Sequence, residues 1–157
     1  MNSRFDLKHI RIKPATPRDT TSLLHLIRAY YRFDQIPFDH KAIAYGLSLL
    51  LNEPALGRVW LILKGGKAVG YLILTFGFDL EFGGRQATLT DLYIKAPHRR
   101  MGIGRAVVEH VEDFCRSSDV MAVELQVTNR NSGVLDFYRR VGFQAHDRIP
   151  MSKRVGR

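Results

Sequence analysis

A single cysteine, Cys115, stands in 157 residues, which excludes an internal disulfide and any cysteine-built metal centre. The six histidines are scattered without metal-ligand spacing, so no metal is expected. Long apolar runs are also missing. VWLIL at 59–63 and LSLLL at 47–51 fall far short of the roughly 20 residues that cross a bilayer. The first ten residues carry Arg4, Asp6 and Lys8, which does not fit a secretory signal. No membrane partner is expected, and a reducing cytoplasm is the expected compartment. Internal repeats, low-complexity tracts and linkers are absent too, so residues 1–157 are read as one domain.

What the chain has in excess is positive charge, formally +9. Lys and Arg outnumber Asp and Glu by 12 to 8 before residue 95 and by 12 to 7 from residue 95 onward. Charge spread this evenly suits any polyanion, including a phosphorylated cofactor. No zinc-finger, RNP or heptad signature accompanies it, and no nucleic-acid partner is expected. A basic nucleic-acid-binding domain would show itself by a steep salt dependence.

Apolar periodicity lays out the elements. HIRIKPAT at 9–16 reads as a strand, and Leu23, Leu26, Ile27 and Tyr30 mark a helix over about 19–32. A second helix follows near 39–51, after a loop broken by Pro37. Then come three strands in hairpins, at 59–64, 68–77 and 85–94. Ile103, Val107, Val108, Val111 and Phe114 form one stripe of a helix, and VMAVELQVT at 120–128 alternates as a strand. Asn131 or Ser132 can cap a last helix that stops at Gly142, and 143–154 is read as one or two short strands.

The stretch that carries chemistry is RRMGIGR at 99–105, between an expected strand and the start of an expected helix. Unsatisfied N–H groups at a helix start bind anions, and Gly102 and Gly104 allow a pyrophosphate close approach. Arg99, Arg100 and Arg105 add charge. Val107 stands where the dinucleotide fingerprint needs its third glycine, and the Gly-Lys-Ser/Thr ending of a phosphate loop is missing, so neither NAD nor ATP is supported.

RRMGIG resembles the R-x-x-G-x-G signature of the GNAT superfamily of N-acetyltransferases. Asn131, Val134, Phe137, Tyr138 and Gly142-Phe143 are similar to its downstream N-x-x-A-x-x-F-Y-x-x-x-G-F segment, with Val134 in place of alanine. The resemblance implies an α+β fold. Its mixed sheet has about six to seven strands, splays between the fourth and fifth, and is flanked by about four helices. It also implies that acetyl-CoA lies in the gap as cosubstrate. The pantetheine arm would pair with Leu92, Tyr93 and Ile94, and the pyrophosphate would rest on Arg99, Arg100, Met101, Gly102, Ile103, Gly104 and Arg105. Asn131 would touch the arm or the backbone beside it. Family members are often dimers, which leaves a homodimer open.

Transfer to an amine requires a neutral nitrogen, so a base must accept a proton, and the departing thiolate benefits from a donor. The resemblance makes Tyr138 the general acid. Asp91, on the strand lining the gap, and Glu124, on the polar face of the next strand, are the catalytic carboxylates considered, with Glu81 or water as alternatives. Cys115, at the end of its helix, reads as a buried structural thiol. Asp34, Asp39, Asp79 and Glu81 in the flanking loops suggest a small cationic acceptor. Acetylation of a protein lysine or N-terminus, and a CoA-binding module without activity, are the competing readings.

Overall fold

The computed structural model describes residues 7–128 and 130–156. The chain falls into two compact units, Met1–Gln126 and Val127–Arg157. The first unit holds five strands, β1 (Ile10–Pro14), β2 (Gly57–Lys64), β3 (Lys67–Asp79), β4 (Gly84–Ile94) and β5 (Val120–Glu124), and three helices, α1 (Thr20–Phe33), α2 (His40–Asn52) and α3 (Ile103–Ser117). The second unit holds α4 (Ser132–Arg140). No helix among the described residues is long and apolar enough to cross a membrane.

The strands lie in the order β1-β2-β3-β4-β5. The first four pair antiparallel and β4 pairs with β5 in parallel. Gly65 and Gly66 make the tight β2–β3 turn with φ of 55° and 79°, a left-handed pair that glycine adopts without a steric penalty. Leu23, Leu26, Ile27 and Leu47 of α1 and α2 pack against Val59, Leu61, Leu63, Tyr71 and Ile73 on one face of the sheet. On the opposite face Phe114 of α3 meets the rings of Trp60 at 5.0 Å and Phe76 at 6.2 Å. The sheet is thus covered on both sides, as burial of its apolar strands requires.

The strand count corrects the sequence reading. Five strands and four helices are present among the described residues, where six to seven strands were expected. Residues 125–128 do not continue β5: its pairing with β4 ends at Thr88 and Glu124, although β4 itself runs on to Ile94. The expected strands in 143–154 are also absent. That segment is polar, Pro150 cannot donate to a ladder, and Ile149 and Met151 are 83% and 92% exposed, so no apolar face draws it onto a sheet.

One irregularity positions everything that follows. Ile73 pairs with Asp91 and Leu74 with Leu89, so Thr90 is an extra residue and β4 carries a bulge there. Before the bulge Ala87 and Leu89 face the same way as Phe76 and Leu74. After it, Asp91 and Tyr93 share the face of Ile73 and Tyr71, the side covered by α1.

Candidate active site

The strand-to-helix passage supplies the first half of the site. β5 leaves β4 at Thr88, while β4 continues to Ile94. From Leu89 to Ile94 its outer backbone edge pairs with no strand among the described residues. Gly70 stands opposite Ile94, and a Cβ there would collide with the Tyr93 carbonyl oxygen, so only glycine lets β3 and β4 close up beneath this edge. The chain then turns through Ala96–His98 into the expected glycine loop. Arg100 and Gly102 are left-handed, with φ of 63° and 80°.

Helix α3 starts at Ile103 with Gly102 as its N-cap and no side-chain cap. The first intrahelical bond runs from Ala106 N–H to the Gly102 carbonyl, 3.2 Å. The N–H groups of Ile103, Gly104 and Arg105 therefore have no helical acceptor, and the helix dipole adds partial positive charge. That is the chemistry of an anion cradle, and it fits the phosphates of a coenzyme. Arg99 has protein partners of its own. Its Nε donates to the Ile94 carbonyl at 2.7 Å, and its guanidinium carbon lies 4.5 Å from the centre of the Phe33 ring and 5.5 Å from that of Tyr93.

The second half centres on Asp91. The hydroxyl of Tyr71 donates to its Oδ2 at 2.7 Å, and Tyr71 is completely buried. Burial holds the Asp91 carboxyl above the usual carboxylate range, and the Tyr71 hydrogen bond partly offsets the rise. The Tyr71 phenol is driven far above its ordinary value by burial and then by the Asp91 charge. The phenol of Tyr31 is raised by the same two causes.

Around the carboxylate runs a set of rings that the sequence reading did not assemble. Tyr30 lies 5.8 Å from Tyr31, 6.5 Å from Tyr71 and 6.0 Å from Tyr93, centre to centre. Tyr31 lies 6.0 Å from Phe38. Tyr30, Tyr31 and Tyr93 are only half-buried. Tyr30 was legible only as one member of a helical stripe, and Tyr71 only as a strand residue. The link between Tyr71 and Asp91 depends on strand register, which no local pattern encodes.

The remaining carboxylates do not converge on Asp91. Glu124 pairs in register with Thr88, on the Asp91 face but before the bulge, and its Oε2 accepts from Gln86 Nε2 at 3.1 Å. Asp79 and Glu81 sit at the β3–β4 turn, where the Asp79 carboxylate accepts from the Glu81 N–H at 2.8 Å. That turn is at the opposite end of β4 from Ile94. Asp39 caps α2 by accepting from Lys41 N–H at 3.0 Å and Ala42 N–H at 3.1 Å. Asp34 ends α1. Of the four loop carboxylates expected to flank the acceptor, Asp34 and Asp39 thus stand at the two ends of the α1–α2 loop and Asp79 and Glu81 at the β3–β4 turn.

In the second unit, Asn131 caps α4 by accepting from Val134 N–H at 3.3 Å. Gly142, with φ of 101°, stops the helix, and Phe143 N–H reaches back to the Tyr138 carbonyl at 3.0 Å. Tyr138 is buried, with its ring 5.1 Å from Phe137 and 5.4 Å from Phe143. Burial pushes its phenol up to about 12. Cys115 is buried and its thiol is raised mainly by desolvation, as suits a structural residue.

A chain from Streptomyces lavendulae named streptothricin acetyltransferase is 37% identical over 59 residues, which cover 38% of this chain and 31% of that protein. Thialysine N-epsilon-acetyltransferase of Bos taurus is 29% identical over 112 residues, covering 71% and 59%. The chain thus spans less than two thirds of the length of either of these relatives. An integron cassette protein from the mobile metagenome of Cole Harbour Salt Marsh superimposes with a TM-score of 0.82 at 29% identity, over 93% of this chain and 91% of that one. The model of the acetyltransferase (GNAT) family matches residues 20–143, a segment that contains the bulged β4, the uncapped α3 and the capped α4, and the chain belongs to that family.

Proposed function

We propose that this chain transfers an acetyl group from acetyl-CoA to a small primary amine, directly, with both substrates bound together. The observation that carries the reading is the Leu89–Ile94 stretch of β4, which parts from β5 and runs on into an uncapped helix start. An arm bearing amides can pair with an open strand edge as an added strand. Leu92, Tyr93 and Ile94 are assigned to the pantetheine arm in this way. The N–H groups of Ile103, Gly104 and Arg105 receive the pyrophosphate, with Arg100 and Arg105 supplying charge. Asn131 is assigned to the arm or the backbone beside it.

The amine arrives as an ammonium, and with a pKa near 10.4 roughly one molecule in a few thousand is neutral at pH 7. Asp91 is assigned as the base. Burial raises its proton affinity, and the Tyr71 hydroxyl keeps it oriented as an acceptor. Glu124, tied to Gln86, is the reserve carboxylate on the same face. The nitrogen then bonds to the thioester carbonyl carbon, negative charge gathers on the carbonyl oxygen near the Leu92 N–H group on the open edge, and the C–S bond breaks. The nitrogen gives up two protons in all. One leaves through Asp91 and one ends on the sulfur.

Tyr138 is assigned to the sulfur. Its phenol, pushed up to about 12, is a weaker acid than an ordinary thiol at about 8.5. It therefore stabilises the departing thiolate as a hydrogen-bond donor, and it stays a donor at every pH the enzyme meets. Support for a small acceptor comes from the two relatives named for streptothricin and for thialysine. Calorimetric titration with acetyl-CoA tests the coenzyme half: micromolar binding is expected for the wild type and is lost when Gly102→Asp and Gly104→Asp place carboxylates in the cradle. A folded wild type that binds no acetyl-CoA would overturn the proposal.

A further inference from the structure

The rings beside Asp91 point to the class of amine. Phe38, Tyr31, Tyr30 and Tyr93 follow one another with centre-to-centre steps of 6.0, 5.8 and 6.0 Å. They form an arc on the α1 side of the sheet, and Asp91 reaches it through Tyr71, which holds the carboxylate and whose ring lies 6.5 Å from Tyr30 and 6.4 Å from Tyr93. Ring faces attract cations, and more strongly where water is partly excluded. Half-buried rings next to a carboxylate with one hydrogen-bond donor among the described residues suit an ammonium group on an apolar stem. A guanidinium group lies at each end of the arc. Arg28 lies 5.1 Å above Phe38, and Arg99 lies 5.5 Å from the centre of Tyr93 and 4.5 Å from that of Phe33.

We infer that the acceptor is a monoamine, whose single ammonium rests against Tyr30 and Tyr31 over Asp91, and that Arg28 and Arg99 select against acceptors carrying a second positive charge. This deepens the acetyl-transfer reading and rests on it for the chemistry, but not for the binding. The arginines repel a distal ammonium, while an apolar stem lies along the rings without cost. Polyamines are thereby disfavoured, although the chain's relatives include proteins named for other amines.

The experiment compares hexylamine with 1,6-diaminohexane, which share a stem and differ by one charge. Binding to the CoA-loaded protein is followed through the tyrosine ring resonances, and acetylation through thiol release. Hexylamine is expected to bind and to react at least tenfold better than the diamine. Arg28→Ala should narrow that gap. Tyr31→Leu should weaken hexylamine about three- to thirtyfold with acetyl-CoA affinity unchanged, whereas Tyr31→Phe, which keeps the ring, should retain it. Equal use of both amines, or no effect of Tyr31→Leu in a folded protein, overturns the inference. Ring-dependent binding of hexylamine without any turnover would sustain this subsite and sink acetyl transfer. Turnover indifferent to Tyr31 would do the reverse.

Discussion

Replacing Tyr71 by phenylalanine deletes one oxygen from a fully buried side chain and leaves the Asp91 carboxylate without the donor 2.7 Å from its Oδ2. A hydrogen bond to a charged group is worth about 1.5–3 kcal/mol, and each pKa unit corresponds to about 1.36 kcal/mol. The lost bond stabilised the ionised form, so the carboxyl pKa should rise by about one to two units above a value that burial has already lifted. If Asp91 is the base, the acidic limb of kcat/KM against pH moves upward by that amount. Activity then falls about ten- to a hundredfold on the acid side of the limb and much less on the alkaline side. Selective carboxyl labelling of aspartate gives the same titration by NMR, independent of turnover. A limb that stays in place, with activity lowered equally at every pH, would show that Tyr71 only fills space and that another group accepts the proton.

Other outcomes test neighbouring parts of the argument. Asp91→Asn should reduce kcat by about a hundredfold or more while acetyl-CoA still binds, since general-base catalysis supplies about 10²–10⁴; retained activity would move the role to Glu124 or to water. The same variant has a signature in stability. A folded-state pKa above the unfolded one means that this group favours folding below about pH 3.9 and that the benefit is lost as pH rises through the folded value. Asp91→Asn should therefore gain stability relative to wild type at neutral pH and lose that advantage in acid, as read by denaturant midpoints. Tyr138→Phe removes a donor without changing volume, and kcat should drop about tenfold or more with acetyl-CoA affinity held; an unchanged kcat would remove Tyr138 from the chemistry.

Local chemistry made much of this molecule legible. The stripe of Leu23, Leu26 and Ile27 is buried as its spacing requires, the Gly65-Gly66 turn closes its hairpin, and Asn131 and Gly142 begin and end α4. The uncapped helix start after Gly102 was also readable, because the sequence marks it with glycine. Features that depend on partners were not readable. Strand 120–128 stops early because its neighbour diverges at Thr88, and alternation cannot report where a neighbour leaves.

The bulge at Thr90 joins the two kinds of information. Simple alternation along RQATLTDLYI places Ala87, Leu89, Asp91 and Tyr93 on one face, which would aim the carboxylate at the α3 side. The extra residue reverses the parity after Leu89. Asp91 and Tyr93 then face Ile73 and Tyr71 instead, where Tyr71 supplies the donor and α1 supplies the rings of Tyr30 and Tyr31. The bulge falls just past the last β4–β5 pair at Thr88 and Glu124. A single inserted residue thus coincides with the opening of the edge assigned to the coenzyme arm and turns Asp91 toward the aromatic arc. Strand β4 can therefore serve coenzyme and acceptor from adjacent residues without any loop between them.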